Sequence, residues 1–365
     1  MEITFKDTLK RMRLERGITQ EALAKHLFIS PQSVGKWERG EGHPDISLLP
    51  KIALFFDTTI DRLLGLEEER IKERIEKYNI ESKQYLSVGK TLENYELWKS
   101  AYNDFPNKQE VKIPYLYALY ERYFQSNDES LKKEILPIIL RLGNELLSSA
   151  DIYARTSAIQ VLCFTYYRKR DIEKAKEYAN MAGDLYVSRE QLLGLILQGE
   201  EGEKKRQENS FALLHLLIEN LESRASRSKR IDSDGKIKVY NACISIIEAI
   251  YINGDFGFNY TYLAKLYFCL AKEYAYLKNE KMCIECVTEM AYMAIMFDTL
   301  KDMKHTSILV DLLDFKWEYV SSSNQENCCL IYLQNLDDEI FNFIRDNDKF
   351  CESYSSLKKY AKLKS

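Results

Sequence analysis

Apolar positions recur at helical spacing along nearly the whole chain, and no useful stretch alternates with the period of two that a strand requires. Residues 1–66 are cut into short pieces by punctuation, and five helices fit them. Phe5, Leu9 and Met12 repeat at i, i+4, i+7, and Gly17 closes that helix. Thr19 is placed to cap a second helix carrying Leu23 and Leu27. Ser30-Pro31 sets a cap and an N1 proline at the head of a third with Val34 and Trp37, ended by Gly40 and Gly42. A fourth starts at Asp45 or Ser47 and carries Leu48, Leu49, Ile52, Ala53 and Phe56. Thr59 caps a short fifth that ends at Gly65.

Residues 67–80 are charged, with acid before base at i, i+4 in Glu68 to Lys72 and Glu73 to Lys77, which predicts a solvated linker helix. Residues 81–365 follow as amphipathic helices rich in Tyr and Leu, separated by short polar breaks. Two segments share the small-residue and apolar spacing of a tetratricopeptide unit. In the first, Ile159, Leu162, Cys163, Tyr166, Ala175, Ala179 and Ala182 hold the slots. In the second, Leu270, Ala271, Tyr274, Cys283 and Val287 hold them. Leu162 and Leu270 are 108 residues apart, three steps of 36, so intermediate units are expected between them. The fold class is therefore all-α: a five-helix head followed by a right-handed, tetratricopeptide-like solenoid.

Composition agrees. Glycine at 14 and proline at 6 are scarce for 365 residues, and every proline lies at or before Pro137, which favours long helices over many turns. The net charge of -4 excludes a uniformly basic nucleic-acid binder and leaves room for a local basic site. No apolar run approaches the ~20 residues of a bilayer span, and the amino terminus has no signal-like apolar region, so no membrane partner and a cytoplasmic location are expected. Eight cysteines in such a chain read as reduced core thiols.

LKRMRLERGITQEALAKHLFISPQSVGKWERG carries the strongest motif. Leu9, Arg13, Gly17, Thr19-Gln20, Leu23, Ala24, Ser30, Val34, Trp37, Glu38 and Gly40 together resemble the Xre family of helix-turn-helix domains over residues 3–65. In such a motif the third helix presents its first turns to base edges in the major groove. Pro31, Gln32, Ser33 and Lys36 are then the outward positions. Gln32 has the paired donor and acceptor that suit an adenine edge, and Lys36 reaches a guanine edge or a phosphate. Gln20, at the head of helix two, is expected on a phosphate. The resemblance makes Arg13 and Glu38 an internal ion pair. The head is close to neutral, ten basic residues against nine acidic to position 66, so a double-stranded DNA site must be held by a local patch and by two heads together.

Enzyme chemistry is poorly represented. Four histidines form no H-E-x-x-H motif, no Walker loop or G-x-S-x-G occurs, and no cofactor is expected. Cys283-x-x-Cys286 is a dithiol spacing, but it falls where the repeat needs small buried residues, so core thiols are the preferred reading.

A curved array of helix pairs suits an extended peptide. Repeat position puts Ser157, Gln160, Phe164 and Tyr167 on the groove in the first unit, and Lys265, Phe268, Lys272 and Tyr276 in the second. Asn241, on an apolar helix between them, is placed to clamp a peptide amide. The expected contact set is Gln160, Phe164, Tyr167, Asn241 and Phe268. An Xre head, a linker helix and such an array resemble the Rgg/PlcR/PrgX group of peptide-responsive regulators. That resemblance implies a homodimer on an inverted-repeat operator, gated by an oligopeptide. Two other readings stay open: control by a protein partner, and a Rap-like interaction protein with a vestigial head.

Overall fold

A computed structural model describes residues 5–364 and divides them into two compact units, one built from residues up to Ser82 with Leu97–Val111, the other from Lys83–Glu96 with Lys112 onward. The first begins with α1 (Phe5–Glu15), α2 (Gln20–Leu27), α3 (Pro31–Arg39), α4 (Leu49–Phe55) and α5 (Ile60–Leu64), with one 3-10 turn at Ile46–Leu48 before α4. The punctuation acts locally. The hydroxyls of Thr19, Ser30 and Thr59 accept from the amides of Ala22, Ser33 and Arg62 at 3.2, 3.2 and 3.1 Å. Gly17, Gly40 and Gly65 turn the chain with positive φ. Leu9, Leu23, Ala24, Val34, Ile52 and Leu63 are then fully buried in one small core closed by Phe5 and Trp37. Phe28 takes the left-handed turn between α2 and α3, at φ 59° and ψ 42°, with 92% of its surface exposed.

The linker helix α6 runs from Leu66 to Ser87, beyond the expected 67–80. It is not simply solvated. Ile71, Ile75, Tyr78 and Ser82 form a stripe at i, i+4, i+7, i+11, and within the first unit Ile75 and Ser82 are buried. The following helix, α7 (Thr91–Asp104), supplies the cover: Trp98 is buried and donates through its indole N–H to Ser82 Oγ at 3.0 Å. Asp104 accepts from Arg74 at 2.6 Å and from the Tyr78 hydroxyl at 2.9 Å, and Lys108 reaches Glu68 at 2.5 Å. Charge patterning alone concealed this packed face.

The chain continues through α8 (Gln109–Gln125), α9 (Glu129–Leu147), α10 (Ile152–Arg168), α11 (Ile172–Ala179), α12 (Arg189–Ile196), α13 (Gly199–Arg227), α14 (Ser233–Ile250), α15 (Asn259–Tyr276) and α16 (Glu280–Asp298). Both tetratricopeptide-like segments are helix pairs, α10 with α11 and α15 with α16. Their turns match atom for atom. Asp171 N bonds Tyr166 O at 3.0 Å and Asn279 N bonds Tyr274 O at 2.9 Å. Arg170 and Lys278 each take positive φ, and Asp171 and Asn279 each cap the second helix. Between these pairs the expected 36-residue step is not kept: α12 has 8 residues, α13 has 29 and α14 has 18.

Packing in the pairs is close. Gly143 of α9 faces Leu162 of α10 so tightly that a Cβ would lie 2.8 Å from Leu162 Cδ2. Cys283 and Cys286 sit in the largest core, and burial pushes both thiols up to about 12. After α16 the helical pattern lapses. Residues 299–327 are mostly irregular and include β1 (Met303–Lys304) paired antiparallel with β2 (Asp314–Phe315), the only strands among the described residues. Two helices, α17 (Cys328–Asn335) and α18 (Asp348–Tyr360), complete the core. Within the described residues no helix is long and apolar enough to cross a membrane.

Candidate DNA-reading face and ligand face

The start of α3 is set by two serines. Ser30 caps it, the Ser30 and Ser33 hydroxyls lie 2.9 Å apart, and Pro31 occupies the first helical position, where no amide is required. Pro31, Gln32 and Lys36 are exposed on one side, while Val34, Gly35 and Trp37 are buried on the other. Ser33 is half-buried, and its hydroxyl is shared with the cap.

Arg13 of α1 grips Glu38 of α3 in a two-pronged pair. Nε donates to Oε1 at 2.5 Å and Nη2 to Oε2 at 2.9 Å, while Nη1 donates to the Ile18 carbonyl at 2.8 Å. Gln20 Nε2 donates to the same Glu38 Oε2 at 2.8 Å. The amide expected on a phosphate is therefore turned inward, because a buried carboxylate collects every donor within reach. Burial would raise the Glu38 carboxyl. The hydrogen bonds from Arg13 and Gln20, with the charges of Arg13 and Lys10, more than reverse this and hold it below the usual carboxylate range. Hydrogen bonding to Glu38 raises the Arg13 guanidinium despite its burial. One network thus fixes α1, the head of α2 and the end of α3 as a rigid frame.

Among the basic residues on and just after α1, Lys6, Lys10 and Arg11 are exposed. Arg13 is internal, and Arg16 lies over Phe55 and Phe56 with a 2.5 Å bond to the Phe55 carbonyl. Arg39, which sequence reasoning missed, is exposed at the end of α3 and forks onto Glu41 at 2.7 Å twice.

In the second unit, α10 carries a connected polar and aromatic face. Gln160 accepts from the Tyr117 hydroxyl of α8 at 2.7 Å, Phe164 lies 6.4 Å from Tyr120, and Arg168 stacks over Tyr120 and Phe124. Tyr167 accepts from Arg227 of α13 at 3.0 Å. Phe164 and Tyr167 stay 45% and 47% exposed. Glu121, also on α8, is half-buried, and that burial raises its carboxyl. Other expected groove residues lie elsewhere. Ser157 is buried. Asn241 of α14 is exposed. Phe268 is half-buried against the core, 5.5 Å from Tyr332 and 6.1 Å from Phe341, because α17 and the 3-10 segment at Glu339–Ile344 cover that side of α15. The geometry brings Gln160, Phe164 and Tyr167 together and leaves Asn241 and Phe268 apart from them.

A capped reading helix braced by an internal ion pair, followed by helical repeats, defines a helix-turn-helix protein. Residues 9–63 match the helix-turn-helix family model. Over 64 residues the chain is 42% identical to the HTH-type transcriptional activator BcrR of Enterococcus faecalis, a match covering 18% of this chain and 31% of BcrR. Over 65 residues it is 38% identical to the uncharacterized HTH-type transcriptional regulator MJ0272 of Methanocaldococcus jannaschii, covering 18% of this chain and 98% of that protein. The chain belongs to the helix-turn-helix family of transcriptional regulators. A solved structure of Bacillus thuringiensis PlcR, in complex with the peptide PapR7 and DNA, aligns over 81% of this chain and 95% of PlcR, with 16% identity and a TM-score of 0.34.

Proposed function

We propose that the protein is a transcription regulator that binds an inverted-repeat operator as a homodimer and is gated by an oligopeptide on its helical repeats. The observation that carries the DNA part is the division of labour on α3. Glu38 and Trp37 hold the helix to its frame while Gln32 and Lys36 stand exposed on its first turns, where a major-groove reader places its contacts. A near-neutral head gains little from counterion release alone, so two heads on one site are needed for useful affinity. The peptide part rests on α10. Large rings half exposed beside hydrogen-bonding side chains offer stacking and backbone contacts together.

A peptide can gate DNA binding only by preferring one arrangement of the dimer, since equal affinity for both shifts nothing. The test uses the full chain, its operator found by footprinting, and a synthetic peptide from a short exported reading frame beside the gene. Operator affinity should change several-fold on peptide addition, and Phe164→Ala with Tyr167→Ala should abolish the change while leaving peptide-free DNA binding intact. A stable complex with a cellular protein and no peptide response would replace the peptide by a protein partner. Absence of any footprint would return the protein to the vestigial-head reading.

A further inference from the structure

A cavity of about 510 Å³ opens beside the last turn of α6, within the second unit. Its walls come from three distant stretches: residues 83–88, residues 297–320, and Asn327 with the tail lysines Lys362 and Lys364. Main-chain bonds tie the stretches together. Ser322 N donates to Leu86 O at 2.7 Å, Asn327 N to Lys362 O at 3.1 Å and Lys364 N to Gln325 O at 2.7 Å. Gly89, at φ +73°, lies so near the Asn324 backbone that a Cβ would stand 2.2 Å from its carbonyl oxygen. A cavity framed by backbone contacts keeps its shape without a ligand.

The two kinds of lining are chemically distinct. Phe297 and Trp317 stand 5.1 Å apart, the Trp317 indole is fixed by a 2.7 Å bond to the Leu300 carbonyl, and Val88 and Val320 add aliphatic wall. The lining also includes Lys83, Lys362 and Lys364, none ion-paired among the described residues. Among the described residues Lys364 Nζ donates to two neutral acceptors, Ser322 Oγ at 2.6 Å and Asn324 O at 3.2 Å. The carboxylates answer this charge only in part: Asp298 and the nearby Glu326 act on Lys364 by their charge, while Asp298 also accepts from the first amides of α17, Cys328 N at 3.0 Å and Cys329 N at 2.7 Å, and Glu318 lies 3.8 Å from Lys316.

We propose that this cavity binds a small amphipathic anion, with its apolar body against Trp317, Phe297 and Val320 and its head among the three lysines. The volume falls within the ~300–1,000 Å³ of ordinary small-molecule sites, which likewise pair apolar walls with a few convergent polar groups. Three lysines with no ion pair among the described residues, against two carboxylates in the lining, give the recess a net positive charge that a carboxylate or phosphate head answers. The site is separate from the face on α10. A ligand there touches Lys83 to Val88 at the end of α6, together with the tail and residues 317–320, and so stiffens all three.

Calorimetry and Trp317 fluorescence on the full chain, with octanoate, octyl phosphate and octanamide as probes, test this. At least one anionic probe should bind saturably and at least tenfold more tightly than octanamide, weakening as salt rises; the preferred anion tells carboxylate from phosphate. Lys83→Gln with Lys362→Gln, both exposed side chains, should weaken the anion at least tenfold and leave octanamide unchanged. Trp317→Phe should abolish the fluorescence response. Equal affinity for octanamide, no saturable binding of any probe at millimolar concentration, or unaltered anion binding by the double variant would each overturn the proposal.

Discussion

Replacing Glu38 by Gln keeps the shape of the side chain and removes the charge that closes the frame of the head. In the native protein both carboxylate oxygens accept, one from Arg13 Nε and the other from Arg13 Nη2 and Gln20 Nε2. An amide turns an NH2 group toward one of these donors whichever way it is flipped. The pair is well hidden, with 11% of the Arg13 side chain and 3% of the Glu38 side chain exposed, so water cannot rescue the guanidinium. Breaking a buried pair on one side costs about 3–5 kcal/mol. Retention of one hydrogen bond puts Glu38→Gln near the lower end, about 3 kcal/mol, or roughly a hundredfold in the opening equilibrium. Hydrogen exchange on the full chain reads this directly in the amides of α1 to α3. The exposed Arg39–Glu41 pair is the control: Glu41→Gln should leave exchange unchanged. Acid provides a second reading. Because folding holds the Glu38 carboxyl below its unfolded value, its contribution is complete above the ordinary glutamate range near 4.3 and is lost as pH falls through the folded value. The variant should lack that part of the acid response. Protection within threefold of wild type, or an unchanged acid response, would refute the frame argument.

Gln32→Ala should relax preference at one base position by about 1–3 kcal/mol, whereas Lys36→Ala, if it meets a phosphate, should weaken all sequences alike and lower the salt slope by about one. Equal, sequence-independent losses for both would move base reading elsewhere. Leu162→Ala, at a fully buried site, should cost about 2–5 kcal/mol in urea unfolding, and Gly143→Ala about 1–3 from crowding the same side chain. Together they should cost less than the sum, because the new methyl group enters the space Leu162 leaves; strict additivity would disprove that contact. Mass spectrometry after brief alkylation at pH 8 should find exposed Cys351 modified first and buried Cys283 and Cys286 protected, since both thiols are pushed up to about 12. Early modification of either buried thiol would contradict the core reading.

The head was legible because its signals are local: Thr19, Ser30 and Thr59 cap the helices they precede, and Gly17, Gly40 and Gly65 end the ones they follow. The two tetratricopeptide-like segments were legible from their apolar and small-residue spacing, and each is a helix pair. What sequence concealed depends on partners that arrive later in the chain. The Ile75 stripe of α6 looks like a minor feature of a charged helix until Trp98 is packed upon it. Periodicity assigns Phe268 to one side of α15, but whether that side is a groove or a core depends on Tyr332 and Phe341, more than sixty residues on. Gln20 was placed by its helix position, and a buried carboxylate on α3 took its amide instead.

Phe28 has a consequence of a different kind. A side chain with a Cβ in the left-handed region costs about 1–2 kcal/mol relative to glycine, and an aromatic ring left 92% exposed recovers nothing from its own fold. The turn between α2 and α3 is thus frustrated: its sequence disagrees with its shape. Any replacement that relaxes the backbone, glycine above all, also strips a large apolar surface from the flank of the reading helix. Stability and outward chemistry are set against each other at a single residue, so selection on the head for firmness alone would be expected to erase the ring first.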